Sequence, residues 1–195
     1  MEKLMKPMLI LAAAGLLTMT VSAQGMKKAD AGTKTVLVGG EAMYPMKNIV
    51  ENAVNSKDHT TLVAAVKAAG LVETLQGEGP FTVFAPTNNA FAALPAGTVD
   101  GLLKPGAKSA LTTVLTYHVV AGTLDMKALK AAIEKGGGQA KLKTVAGQEI
   151  TVSMNGPHNI QVWDQNGAYA NISTYDVMQK NGVIHVIDRV LLPKM

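Results

Sequence analysis

Four histidines are the side chains of this sequence best suited to proton transfer or metal binding, and they stand far apart at His59, His118, His158 and His185. No two have the spacing of a zinc site, the chain has no cysteine, and no HExxH run occurs. No metal ion and no organic cofactor is therefore expected. His185 lies between Ile184 and Val186, where an imidazole reads as a core side chain with its nitrogens hydrogen-bonded. Met43 and Met46 offer two thioethers, ligands that suit soft Cu(I), but beside Tyr44 and Pro45 the same pair reads as packing. Acidic residues are dispersed and no GxSxG elbow is present, so the sequence gives no support for catalysis. Asn171-Ile172-Ser173 matches a glycosylation sequon. What remains is a phenol joined to an imidazole at Tyr117-His118, and a carboxylate at Asp176-Val177.

The elements that must carry these residues change character along the chain. Ile49, Val50, Ala53 and Val54 have helical spacing, and Leu62, Ala65, Val66 and Ala69 repeat it, with Asp58 or Thr60 as N-cap and Gly70 as the stop. Phe81 to Ala85 is a short strand ended by Pro86, and Thr87 opens a short helix carrying Ala90, Phe91 and Leu94. A helix over 107–116 leads into Tyr117-His118-Val119-Val120 as an extended segment, and a helix over 125–135 closes at Gly136-Gly137-Gly138. From residue 139 the period becomes two. Turns are expected at Ala146-Gly147, Asn155-Gly156 and Asn166-Gly167, and Asn181-Gly182 introduces the apolar run Val183 to Leu192. That run reads as a strand buried on both faces. Helices first and strands last, without regular alternation, predict an α+β fold.

The N-terminus reads as a targeting signal. Lys3 and Lys6 precede an apolar run from Met8 to Val21, and Val21-Ser22-Ala23 offers small residues to a peptidase. The expectation is a signal peptide over residues 1–23, cleaved after Ala23, and a secreted or periplasmic protein. The other reading is a retained anchor, but the run of about 14 residues is short of the roughly 20 that span a bilayer. No later segment approaches that length, so no membrane span is expected after removal of the signal. Residues 24–45 read as a flexible leader with a short strand at Val36-Leu37-Val38. The net charge of +4 is spread over scattered lysines and one arginine. Nucleic-acid binders gather such charge on one face, so none is expected as a partner.

Three stretches then resemble the signatures of the fasciclin domain family. The first runs from Gly79-Pro80-Phe81-Thr82-Val83-Phe84-Ala85-Pro86 through Thr87-Asn88 to Phe91 and Leu94. The second is Tyr117-His118-Val119-Val120 with Gly122, and the third is Asn181-Gly182-Val183-Ile184-His185-Val186-Ile187-Asp188 with Val190 to Pro193. They occur in the family's order and cover one domain over residues 46–193. The resemblance implies a wedge of two β-sheets with helices packed alongside, and a non-catalytic role in cell adhesion or binding to a protein or polysaccharide surface. It also implies partner contacts at Tyr117, His118, Asp176 and Val177. The residues themselves favour burial of Tyr117 and His118, and Asp176 reads as a turn tie. Tyr175 and Val177 depart from the proline and isoleucine of the family's proposed integrin-contact motif. A second functional reading is a periplasmic carrier of a small apolar ligand, which would need an enclosed apolar cavity of about 300–1,000 Å³.

Overall fold

The computed structural model describes residues 35–194. The expected signal peptide and the first part of the leader lie outside the described residues. The chain opens with a hairpin of β1 (Val36–Val38) and β2 (Glu41–Met43), followed by α1 (Ile49–Ala53), α2 (Thr60–Ala69) and α3 (Val72–Gln76). Then come β3 (Phe81–Pro86), α4 (Asn88–Ala92), α5 (Thr98–Leu102), α6 (Lys108–Tyr117), β4 (Val119–Ala121) and α7 (Met126–Lys135). Five strands finish the domain: β5 (Gln139–Lys143), β6 (Glu149–Asn155), β7 (Asn159–Trp163), β8 (Tyr169–Gln179) and β9 (Gly182–Ile187). The α+β expectation holds.

Seven strands form one sheet in the order β4-β3-β9-β8-β7-β6-β5, and β1 pairs only with β2. All pairings in the large sheet are antiparallel except β3 with β9. The two sheets of the wedge are two halves of this one ladder and share β8, whose first three residues pair with β7 and whose remainder pairs with β9 across two register shifts. Bulges of this kind bend a strand and let one sheet serve two layers. A bridge between Val120 and Thr144 brings the outer strands β4 and β5 together, so the sheet nearly closes. Closure removes exposed strand edges.

Two cores result. The helices α1, α2, α4 and α6 pack Ile49, Val50, Leu62, Val66, Phe91 and Leu111 against β3 and β9. Inside the other half of the sheet, Ile150, Val152, Ile160, Val162, Ala170 and Ile172 meet Leu129 and Ile133 of α7, together with Phe84 and Tyr117. The parallel contact of β3 with β9 depends on Gly182, because a Cβ there would run into the Phe81 carbonyl.

Several local readings change. Val38 and Met43 of the first hairpin are buried, so the short strand at 36–38 is a paired, packed element. Neither Asp58 nor Thr60 caps α2. A 3-10 turn over Lys57–His59 precedes it, and the Asn88 side chain accepts from Thr61 N–H (3.0 Å) while donating to Lys57 O (2.8 Å). Gly70 does end α2 in the left-handed conformation, and Thr87 caps α4. Helix α5 was not expected from the sequence. Tyr117, read as extended, is the last residue of α6, with His118 as its C-cap.

Candidate functional site

Tyr117 and His118 leave α6 pointing to opposite partners, and both are buried. The Tyr117 hydroxyl donates to Glu149 O (2.9 Å) and accepts from Gln165 N–H (3.2 Å), tying α6 to β6 and to the β7–β8 turn. Burial is the main cause that pushes its pKa above the ordinary value. His118 Nδ1 donates to Val114 O (2.7 Å), which leaves Nε2 to accept from Leu191 N–H (2.9 Å). The two bonds select one neutral tautomer. Loss of hydration holds its pKa down at about 4, against a smaller raising effect of the Val114 carbonyl.

Asp176 and Val177 belong to a second buried knot. The bulge in β8 puts Asp176 in the left-handed region (φ 54°), and its Oδ1 accepts from Met126 N–H at the start of α7 (2.7 Å). Asp125 caps the same helix through Ala128 N–H. His185, wholly buried in β9, donates from Nε2 to Leu124 O (2.7 Å) and accepts at Nδ1 from Asp176 N–H (3.4 Å). Burial is the largest effect on this imidazole and lowers its pKa. Val177 is buried opposite Ile184. The core reading of His185 describes what the structure shows; Asp176 ties no turn but holds the start of α7 from a bulge in β8.

Asn181 completes the framework, accepting from Ile49 N–H (3.1 Å) and donating to the carbonyls of Leu75 (2.8 Å) and Gly77 (3.0 Å). The three family-like stretches thus meet in space through backbone carbonyls and amides. Their polar atoms are spent inside the domain.

The remaining candidates do not converge. Met43 is in the core while Met46 is 78 % exposed, so the two thioethers do not face one site. His158 is exposed in the β6–β7 turn. Among the described residues, no group of three or more His, Asp or Glu side chains is placed to hold a metal ion. His59 is buried with Nδ1 against Ser56 Oγ (2.9 Å), and its Nε2, near the Ala85 backbone, completes no hydrogen bond. Burial is the main cause that lowers its pKa. It borders an apolar cavity of about 80 Å³ between the helices and β3, lined also by Met43, Val50, Val66, Leu115 and Ile184.

One surface escaped the sequence reading. On the outer side of β6, β7 and β8, Trp163 lies 4.8 Å from Tyr169 between ring centroids. The indole N–H donates to Ser153 Oγ (2.9 Å), and the Arg189 guanidinium sits 5.6 Å over the Tyr169 ring. Beside them Gln161 Nε2 donates to Asn171 Oδ1 (3.2 Å), and Asn171 donates to both Asp188 oxygens (2.8 Å each). The available signal was the alternation Ile160-Gln161-Val162-Trp163, whose polar and aromatic members must share a face.

Comparison with known proteins points one way. A sequence profile of the fasciclin domain matches residues 57–193. Protein sll1483 of Synechocystis sp. is 44% identical over 171 residues, which are 87% of this chain and 87% of that one. Protein sll1735 of the same organism is 40% identical over 147 residues, 75% of this chain and 98% of the relative. The structure of a FAS1 domain pair from the insect cell adhesion molecule Fasciclin I superposes with a TM-score of 0.66 at 18% identity, over 80% of this chain and 57% of that one. That likeness shows the fold.

Proposed function

Because the chain belongs to the fasciclin domain family, we propose that it is an exported, non-catalytic module that attaches to a protein or polysaccharide surface. Its described part contains no helix long and apolar enough to cross a membrane. The observation that carries the reading is the inward use of the polar groups in the three family-like motifs. Tyr117, His118 and His185 have both donor and acceptor partners within the domain, which leaves recognition to the outer surface. On this reading Tyr117, His118, Asp176 and Val177 affect binding only through the fold.

The carrier reading draws on the cavity between the helices and β3. Its volume of about 80 Å³ falls below the roughly 300–1,000 Å³ typical of pockets that enclose a drug-sized ligand. The surface reading is therefore the stronger.

The test is retention of the purified full-length product on envelope and matrix material from its own source. Saturable retention above that of a charge-matched control protein is expected. Retention no better than the control, together with a small molecule co-purifying in native mass spectrometry, would reverse the ranking.

A further inference from the structure

We propose that the outer face of β6, β7 and β8 is a binding platform for an acidic polysaccharide, with Trp163 and Tyr169 as its stacking surface and Arg189 as its carboxylate contact. The proposal rests on the surface-binding reading and names its partner and place.

The face is built by strand alternation. Ile150, Val152, Ile160, Val162, Ala170 and Ile172 point inward and are buried, so Thr151, Ser153, Gln161, Trp163, Tyr169 and Asn171 share the outer side. Register sets them in two rows. Thr151, Trp163 and Tyr169 lie across from one another in the first, and Ser153, Gln161 and Asn171 in the second. Neighbouring strands are about 4.8 Å apart and alternate residues on one strand about 6.6 Å apart, so the rows form a close-set array, with the Trp163 and Tyr169 rings tilted 44° to each other. None of these six side chains is charged.

That chemistry fits a sugar chain. The indole N–H is held by Ser153, so the polar edge of the half-buried Trp163 is already engaged. Aromatic faces carry negative quadrupole charge, which attracts the polarised C–H groups on one side of a pyranose ring. The amide row is oriented before any ligand arrives, because Asp188 fixes Asn171 and Asn171 fixes Gln161. Preorganised amides lose little entropy on binding. Among the described residues Gln161 Oε1 has no donor, which leaves it to accept from a sugar hydroxyl.

Charge complementarity selects an acidic chain. Arg189 is exposed, stacked on Tyr169, and has no ion-pair partner among the described residues. Its planar fork matches a carboxylate. Lys141, opposite Thr151 on β5, adds a second cation, whose contact with Glu149 (3.7 Å) lies between exposed groups and is weak. A uronate unit seated on the aromatic pair would bring its carboxylate to Arg189 at the Tyr169 end of the row, while Lys141 stands at the other end.

The sequence contains one tryptophan, so its emission reports from the platform itself. Polygalacturonate titrated into the full-length product is expected to give a saturable emission change that neutral dextran does not. Arg189→Gln should weaken binding by about tenfold, the loss of one charge-assisted contact, without lowering the melting temperature. Lys57→Gln removes an equal charge from another part of the molecule and should leave affinity unchanged. Equal weakening by both variants would overturn the proposal, because it would show attraction by net charge alone. An unchanged emission would also overturn it, and continued retention on envelope material would then leave the surface-binding reading standing. Retention that disappears after protease treatment of that material would identify a protein partner and likewise exclude the platform. Failure of both retention and emission would remove both readings.

Discussion

The inner knot of Tyr117, His118 and His185 and the outer array of Trp163, Tyr169, Gln161 and Asn171 use the same kinds of side chain to opposite ends. Inside, each phenol or imidazole has a donor and an acceptor partner drawn mostly from the backbone. Outside, rings and amides hold one another in position but keep a face toward water. A buried polar group without a partner is expensive, so the inner set had to be satisfied completely. The outer set is under no such demand and can keep capacity for a ligand. The conspicuous motifs of this chain therefore specify the fold, and the less conspicuous alternation of β6 to β8 carries the recognisable surface chemistry.

The contrast is broken most forcefully at Phe84. It is fully buried between the two cores and stacks on His185 with ring centroids 5.7 Å apart. Phe84→Ala should cost roughly 3–5 kcal/mol. In a domain of this size that lowers the melting temperature by on the order of 10 °C, as calorimetry would record. A loss below about 1 kcal/mol would mean that the strand β3 is not the shared wall of both cores.

Acid should act next, and on the buried imidazoles. An unfolded histidine takes its proton near pH 6.5, whereas folded His118 resists until about 4. Between those values the unfolded chain binds a proton that the folded chain refuses. Stability is therefore complete above about pH 6.5, falls as the pH drops toward 4, and loses nothing more from this group below that. At about 1.4 kcal/mol per pH unit, His118 alone accounts for about 3 kcal/mol. His59 and His185 are shifted in the same direction and add to the loss. Denaturant unfolding at pH 7 and pH 4 measures it; a flat profile across that range would show that the imidazoles are hydrated.

A smaller effect is expected at the Tyr117 hydroxyl. Tyr117→Phe keeps the ring and leaves Glu149 O and Gln165 N–H without this partner, at a cost of about 1–3 kcal/mol. Polygalacturonate affinity should not change. A lowered affinity at intact stability would place Tyr117 in the binding surface after all.

Much of this arrangement was legible in the sequence, for identifiable reasons. The helix over 125–135 shows the helical period that one-sided burial enforces. The strand from Val183 shows the continuous apolar run that two-sided burial enforces, although it ends at Ile187 and not at Leu192. The hairpin turns show glycines that their geometry requires. Helix α5 did not show because it buries none of its residues. The strand β2 did not show because three residues carry no period, and Met43 is buried by remote parts of the helical core. Asp58 and Thr60 were the wrong caps because the partner comes from Asn88, which sequence distance conceals. The burial of Tyr117 and His118 was readable from their apolar flanks. Their tautomer and partners were not, since Leu191 arrives from the irregular segment after β9 and Glu149 from β6, both remote in sequence.

The smallest expected change in stability sharpens the comparison most. Gln161 lies half-buried on the outer face, bonded through its amide nitrogen to Asn171. Gln161→Ala removes one water-accessible hydrogen bond, so unfolding free energy should move by no more than about 0.5 kcal/mol. Its carbonyl nevertheless has no donor among the described residues, and polygalacturonate affinity should fall several-fold. Stability and binding would then separate at this position, whereas at Tyr117 the stability falls and the binding stays. A chain in which Gln161→Ala unfolds as readily as Tyr117→Phe would show that the outer array is structural, like the inner one. The division between a sealed framework and an available surface would then have to be redrawn.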